Sequence, residues 1–341
     1  MKTEEKKQWL DLYHKINEVA KLTPWEWLRP VDIFGIQPIG REEPIFAWID
    51  KRLLGGLPCV RFLLGWNAIN EMLTRVQSPQ KPVVSWLLEI PALEVLFLTN
   101  QQQYDYERRL LKQLRKQPPT ENECAPVFRS IRPGFLPWKP DPEERELLSV
   151  LLYQTLGVLL RTEQNKELLT SHFPDKMLVI RQREDGTWRD TWEPVRTYED
   201  KGIAVRLPSH FIQQFQQLRL LSQTTVQLDF LPIPTQFPRY PRKRPPIRNV
   251  LILVDTKTEK LSYGPLISGQ EGIETMWNQL PCCLLTLFQN LGGCPGSIEV
   301  KGERIANFFR ALEIYLPFKL VRRTNLQILD EALQRLLHPS A

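Results

Sequence analysis

Four acidic residues near the carboxyl end of the chain are of the type that metal-dependent hydrolysis uses, and their positions on the predicted elements are suggestive of it. Asp255 ends a run of β-forming residues, Glu299 lies in the next run, Glu303 begins a helical segment, and Asp330 lies on the last one. Carboxylates brought together from such elements could hold divalent ions and activate a water molecule. The sequence therefore offers an alternative catalytic set: Asp255, Glu299 or Glu303, and Asp330.

Each of these acids also has a plain structural explanation. Asp255 opens the turn DTKTEK, where aspartate is favoured because its carboxylate accepts hydrogen bonds from the turn. Glu303 suits the positive end of a helix dipole, and Asp330 suits a solvent-facing helical position. Our preferred interpretation therefore assigns no catalytic residue and no bound metal.

The glycine, cysteine and histidine residues show no cofactor pattern. The glycine pairs at 55–56 and 292–293 lack the GxGxxG and GK[S/T] contexts that bind phosphate. The five cysteines include no CxxC, and the four histidines are scattered along the chain. We predict free thiols, no zinc site and no other cofactor.

Two basic stretches could bind an anionic ligand. Residues 126–138, PVFRSIRPGFLPW, place two arginines among prolines and aromatics, and residues 239–248, RYPRKRPPIR, have the pattern of a polyproline linker. The arginines of the first stretch could equally pair with an acid at the edge of a core, and the second could be a solvated tether. The predicted binding residues are Arg129, Arg132, Arg242, Lys243 and Arg244.

The composition indicates a folded chain of more than one domain. It has 341 residues, of which 42% are hydrophobic and 25% are charged. The formal net charge of +6 is a mild excess that permits a nucleic-acid partner. The amino terminus lacks the apolar core of a signal peptide, and the longest apolar run, 147–160, is too short for a bilayer. We expect a cytoplasmic protein with no membrane partner.

Residues 1–172 are predicted to form an N-terminal α/β domain. Apolar residues at helical spacing predict an amphipathic opening helix: Trp9, Tyr13, Ile16 and Ala20. Three short β-rich runs, a helix, a further strand and a charged helix follow, at 32–37, 44–49, 59–64, 67–76, 93–98 and 104–116. The predicted order is βββαβα.

A long helix at the end of this domain has the clearest start signal in the chain. Asp141 and Glu144 have the spacing of a capping box, with Pro142 between them at the first helical position. The segment 126–138 before it has neither a helical nor a strand period. Its aromatic content predicts that Phe128, Phe135 and Trp138 are buried against this helix.

The rest of the chain divides into three predicted parts. Residues 173–235 form a middle region with a β-hairpin, a helix and a strand at 225–231, and residues 236–246 form a proline-rich basic linker. Residues 247–341 form a C-terminal α/β domain. With 225–231 counted as an added strand, its order is βββαβαβα. The two mixed-sheet domains would then share one order, which suggests a duplication.

The order βββαβαβα resembles that of the ribonuclease H-like fold. Nucleases with that fold place acidic residues on the first strand, after the fourth strand and on the last helix, to hold divalent metals. The resemblance implies that Asp255 ends the central strand of the C-terminal sheet.

Three stretches resemble a family of uncharacterised two-domain bacterial proteins. They are Trp25 to Trp27 followed by DIFGI at 32–36, FRSIRPGFLPW at 128–138, and the late hairpin ending in LVD at 253–255. In that family an N-terminal and a C-terminal domain of unknown function occur in this order. The resemblance implies a bacterial cytosolic protein, and it brings no activity, cofactor or catalytic residue.

The preferred prediction is a non-catalytic interaction or regulatory protein. Five tryptophans are expected to present aromatic surface to a protein or nucleic-acid partner: Trp25, Trp27, Trp48, Trp66 and Trp86. The alternative is a divalent-metal-dependent hydrolase or nuclease that uses the acidic set described above.

We predict that residues up to about 172 and from about 247 form separate cores, because complete sets of elements flank the proline-rich break. Limited proteolysis followed by mass spectrometry should detect the first cuts between Pro232 and Arg248. Preferred cleavage within 147–160 would contradict two separate cores.

Overall fold

The computed structural model of the chain describes residues 1–52, 55–77, 84–114, 123–170, 175–196, 205, 207–233 and 243–337. The chain divides into two compact units. The first unit comprises Met1–Asp200 with Phe237–Pro245, and the second comprises Lys201–Gln236 with Pro246–Ala341. Each unit is built around one mixed sheet with helices, as the predicted α/β class requires.

Within its described residues, the first unit contains five α-helices and seven strands. The helices are α1 (Thr3–Lys21), α2 (Pro24–Trp27), α3 (Trp66–Gln77), α4 (Asp105–Gln113) and α5 (Pro142–Gln164). The strands are β1 (Phe34–Gln37), β2 (Ile45–Asp50), β3 (Cys59–Leu64), β4 (Ala92–Leu98), β5 (Ala125–Ile131), β6 (Lys176–Gln182) and β7 (Trp188–Pro194). The predicted opening helix and the predicted order of elements through α4 are present.

The sheet of the first unit is a long antiparallel meander extended by a hairpin. Its strand order is β5-β4-β3-β2-β1-β6-β7, and only β1 and β6 are parallel. In a ribonuclease H-like sheet the fourth strand lies parallel to the first, whereas β4 here is antiparallel to β3. From β1 to α5 the strands and α-helices of the first unit follow the order βββαβαβα along the chain. Its sheet nevertheless does not have the ribonuclease H-like arrangement of strands, and this topology gives no support to a duplication.

Both faces of this sheet are covered. Strand residues of one face pack with Leu12 and Ile16 of α1 and with Leu151 of α5. Residues of the other face pack with Ile69 and Met72 of α3. A strand with two covered faces is apolar at successive positions, which explains the continuous burial of β2 and β4.

Five tryptophans were predicted to present aromatic surface, and this prediction is wrong for two of them. Trp48 and Trp66 are only 3% and 2% exposed, because both belong to the core between the sheet and α3. Trp25 and Trp27 are partly buried against the core beneath α1 and α5. The side chain of Trp86 lies outside the described residues.

The first half of the 126–138 segment extends the sheet as part of β5. The sequence pattern did not reveal this strand, because Arg129 is buried within it and hides the alternation. After β5 the chain turns back, and Ser130 and Trp138 exchange backbone hydrogen bonds of 2.7 and 3.1 Å. The segment is therefore tied to the sheet by its backbone.

The aromatic residues of this segment pack differently from the prediction. The ring of Phe128 meets the rings of Trp9 and Tyr13 on α1, with centroids 5.9 and 5.1 Å apart. Phe135 and Trp138 are only half-buried, and Trp138 lies 4.9 Å from the ring of Tyr106 on α4. The predicted burial is present for Phe128, which is 3% exposed and shares a core with Leu148 and Leu151 of α5, and it is wrong for Phe135 and Trp138, which are half-buried.

The predicted capping box of α5 is present. The carboxylate of Asp141 accepts a hydrogen bond of 2.9 Å from the amide of Glu144, and that of Glu144 accepts one of 2.9 Å from the amide of Asp141. These bonds satisfy two amides that would otherwise lack partners at the helix start.

A row of charged side chains crosses one buried face of the first sheet. Arg61 on β3 lies opposite Glu94 on β4, which lies opposite Arg129 on β5. Arg61 donates two hydrogen bonds, of 3.1 and 2.5 Å, to one carboxylate oxygen of Glu94, and each side chain is only 4% exposed. Ion pairs replace hydration for these buried charges.

In the part of the chain that the structure describes, the second unit contains five α-helices and five strands. The helices are α6 (Ser209–Gln216), α7 (Ile273–Asn278), α8 (Leu280–Leu291), α9 (Glu303–Glu313) and α10 (Gln327–Leu337). The strands are β8 (Leu220–Pro232), β9 (Arg248–Asp255), β10 (Leu261–Ser268), β11 (Cys294–Val300) and β12 (Lys319–Arg322). The sheet order is β10-β9-β8-β11-β12, in which β8, β11 and β12 are parallel.

The predicted middle region, 173–235, is divided between the two sheets. Strands β6 and β7 extend the first sheet, since β6 pairs with β1, which would otherwise present an unpaired edge. Helix α6 and strand β8 belong to the second unit. The limits 1–172, 173–235, 236–246 and 247–341 remain a prediction about independently folding parts.

No helix within the described residues is both long and apolar enough to span a bilayer.

Breaking the buried Arg61–Glu94 pair should destabilise the first unit. We expect Glu94→Leu to lower the free energy of unfolding by about 3–5 kcal/mol, because it leaves a buried guanidinium without its partner. The double variant Arg61→Met/Glu94→Leu should recover most of this loss. Urea unfolding of the full chain, followed by circular dichroism, measures both. Equal losses in the single and double variants would contradict this account.

Candidate functional site

A cluster of polar residues lies on the α10 side of the second sheet. Val226, Leu228 and Phe230 of β8 pack in the core formed with α8 and α9. The alternate residues of β8 lie on the opposite face, where Leu326 and Leu329 cover the sheet. We call the polar residues of this face the α10-side cluster: Gln227, Asp229, Glu299, Lys301, Arg323 and Asp330.

Gln227 connects the two central strands with the helix above them. Its side-chain amide donates a 3.0 Å hydrogen bond to Oε2 of Glu299, and its Oε1 accepts a 3.0 Å hydrogen bond from the amide of Leu329. That amide belongs to the first turn of α10, where amides lack partners within the helix. Gln227 therefore fixes both the carboxylate of Glu299 and the start of α10.

The carboxylate of Glu299 is held by an arginine. Nε and Nη2 of Arg323 donate to Oε1 of Glu299 at 2.8 and 2.5 Å. The side chain of Glu299 is 11% exposed, whereas that of Arg323 is 53% exposed. The negative charge of Glu299 is thus neutralised from the solvent side.

Asp229 and Asp330 both interact with the charge of Lys301. The ammonium of Lys301 is 4.0 Å from Oδ2 of Asp330. Burial of the Asp229 carboxyl raises its pKa, with a further rise from Asp330, while a hydrogen bond from the amide of Phe230 and the charge of Lys301 oppose the rise. The cluster therefore contains two acids that share one lysine.

The structure brings only part of the predicted catalytic set together. Asp330 and Glu299 both belong to the α10-side cluster, where Asp330 lies near Lys301 and Glu299 is paired with Arg323. Asp255 ends β9, and its Oδ1 accepts hydrogen bonds of 2.9 and 3.4 Å from the amides of Lys257 and Thr258. Its carboxylate thus closes the turn. Glu303 is the first residue of α9, and its side chain lies outside the described residues.

The prediction that Asp255 ends the central strand is wrong. The central strand of the second sheet is β8, and β9 lies between β8 and β10. The acid on the first strand of this unit is consequently Asp229, which sequence reasoning missed because 225–231 was counted only as an added strand. An aspartate within the apolar run VQLDFL was the available signal.

Among the described residues, no group of three histidine, cysteine, aspartate or glutamate side chains lies close enough to hold a metal ion.

The described arginines among the predicted binding residues lie in the first unit and already have protein partners. Arg129 donates to both carboxylate oxygens of Glu107 at 2.8 and 3.1 Å, and its guanidinium lies 4.5 Å from the ring centre of Tyr104. Arg132 donates to Asp141 at 2.6 Å and to Glu144 at 2.7 Å.

Arg244 of the predicted linker is anchored on β5. It donates to the carbonyl and the hydroxyl of Ser130 at 2.7 and 2.9 Å. Burial, followed by the nearby charge of Arg132, lowers the pKa of Arg244 to about 10. Lys243 beside it is exposed, and Arg242 lies outside the described residues.

These observations define a class of protein with two mixed α/β units, one built on an antiparallel meander and the other on a sheet with a parallel half. Residues 9–180 match a family model described as a domain of unknown function (DUF7309), and residues 212–337 match another described as a domain of unknown function (DUF6930). The chain belongs to the DUF7309 family, whose model covers half of it. The predicted succession of an N-terminal and a C-terminal domain of unknown function is confirmed. No significant match was found among curated proteins or among solved structures.

The raised pKa of Asp229 predicts a pH-dependent stability. An acid whose pKa is higher in the folded than in the unfolded state destabilises the fold when it is ionised. Asp229→Asn should therefore raise the melting temperature at neutral pH. The difference should shrink as the pH falls through the raised pKa towards the unfolded value of about 4. Thermal unfolding of both proteins across this range measures it, with Asp255→Asn as the control. A difference that stays constant with pH would contradict this assignment.

Proposed function

We propose that the protein is a non-catalytic interaction or regulatory protein of the cytoplasm. The observation that carries this proposal is the pairing of acids with lysine and arginine in the α10-side cluster. The family models bring no activity with them.

Metal-dependent hydrolysis requires carboxylates that are free to coordinate an ion. Magnesium and manganese bind through two or more carboxylate groups in a common site. In this cluster Arg323 already occupies the carboxylate of Glu299, and the ammonium of Lys301 lies beside Asp330. Protein cations thus supply the positive charge that a metal would otherwise bring.

One observation favours a second candidate function, a divalent-metal-dependent hydrolase or nuclease. Asp229 lies on the first strand of its unit and is close enough to Asp330, on the last helix, for the two charges to interact. This placement is similar to that of the acids in ribonuclease H-like nucleases. Displacement of Lys301 would be needed before the two carboxylates could share an ion.

The proposed partner is another protein rather than nucleic acid. The guanidinium groups of Arg129, Arg132 and Arg244 face carboxylates or backbone oxygens of the first unit. A phosphate would have to compete with these contacts, several of which are charge-assisted. Lys243 is exposed, and the basic stretch 239–248 remains a predicted nucleic-acid contact.

Titration calorimetry with manganese separates the two candidate functions. We expect no saturable heat with the wild-type chain, because Lys301 and Arg323 already neutralise the acids. Asp229→Asn should behave like the wild type, and Asp255→Asn serves as the matched control. Saturable binding by the wild type that is lost in Asp229→Asn but kept in Asp255→Asn would overturn the proposal and support the hydrolase.

A further inference from the structure

Helix α5 exposes an apolar stripe on the side turned away from the core of its unit. The helix buries Leu148, Leu151, Leu152, Val158 and Leu159. On its opposite side Val150, Tyr153 and Leu160 are 36%, 63% and 43% exposed. With the exposed Gly157, these residues are spaced by three, four and three positions, which is the spacing of a helix–helix seam. We call Val150, Tyr153, Gly157 and Leu160 the α5 stripe.

Gly157 lowers the stability of α5 as a helix. Glycine inside a helix is the poorest helix former after proline. Here a Cβ atom at residue 157 would meet no atom within 4 Å, so packing within this chain does not require its absence. A glycine in a seam instead lets the backbone of a second helix approach closely, or gives room to a large side chain from it.

The charges at the two ends of the stripe favour an antiparallel partner with the same sequence. Glu143 and Glu146 are exposed at the amino-terminal end of α5, where Glu146 accepts a hydrogen bond from Gln8, and Arg161 is exposed near the other end, where it pairs with Asp190. A parallel copy would place Glu146 beside Glu146. An antiparallel copy places Glu146 near Arg161 at both ends, as a self-complementary two-fold contact requires.

We propose that the α5 stripe is the contact between two copies of this chain, packed antiparallel. A two-fold axis level with residue 155 pairs Val150 with Leu160 and places Tyr153 of one copy over Gly157 of the other. The ring then fills the space that glycine leaves open. This inference rests on the proposed function, since it names the partner class of an interaction protein as a second copy.

Sedimentation equilibrium of the full chain tests the proposal. We expect a reversible monomer–dimer equilibrium with a Kd of about micromolar order, as suits a small contact. Gly157→Leu should weaken dimerisation by about tenfold or more, because its side chain blocks the approach of Tyr153. The same change should raise the melting temperature of the monomer, because leucine is a better helix former than glycine. Glu163→Leu, at an exposed position of α5 outside the stripe, is the matched control and should leave the Kd unchanged.

A charge exchange tests the orientation. Glu146→Arg and Arg161→Glu should each weaken dimerisation, and an equal mixture of the two variants should restore it as a heterodimer. Circular dichroism checks that both remain folded, because Arg161 also pairs with Asp190 at 2.5 Å. A chain that stays monomeric, a dimer unaffected by Gly157→Leu, or variants that do not rescue one another would overturn the proposal. None of these results would alter the manganese titration, so the two proposals can fail separately.

Discussion

The cost of burying charged side chains is the constraint on which both units depend. An isolated charge in a protein interior is so unfavourable that each buried ion must lie beside an opposite charge or several hydrogen-bond partners. In the first sheet this fixes the register of three strands, because Arg61, Glu94 and Arg129 are cross-strand neighbours and Glu107 of α4 must meet Arg129. A slip of one residue would turn these ions to the other face and leave them among the apolar residues that contact α1 and α5.

The same constraint fastens a distant segment to the first unit. Ser130 is buried, and Arg244 donates to it from a position 114 residues later in the chain, with the Arg244 side chain only 11% exposed and 3.8 Å from the carboxylate of Glu144. The amide of Leu136 also donates a 2.9 Å hydrogen bond to the carbonyl of Pro245. Arg129, Arg132 and Arg244 were predicted to bind a ligand. They instead connect elements of the fold, and Arg244 does so through its contacts with the 126–138 segment.

Local sequence patterns predicted most helices and strands of this fold. They did not predict which strands pair or which distant side chains form ion pairs. The capping box at Asp141 and Glu144, the spacing in α1 and the β-rich runs of both units depend on near neighbours in the sequence. The partner of Arg129 is Glu107 on α4. Strand β6 belongs to the first sheet because it pairs with β1, whose edge would otherwise be unpaired. Neither pairing can be recognised from a short window of sequence. The prediction therefore omits β5 and places the β6–β7 hairpin in a separate region.

Whether 225–231 is counted as the first strand of the second unit decides which acid is assigned to the candidate site. When 225–231 is treated as optional, Asp255 becomes the first-strand acid, although its carboxylate only closes a turn. When β8 is the first strand, Asp229 takes that place, and the residue after β11 is a lysine. A lysine close to two aspartates supplies positive charge without an ion from solution. Acidic residues at suggestive positions thus do not distinguish a nuclease from an interaction domain until the cations beside them are known.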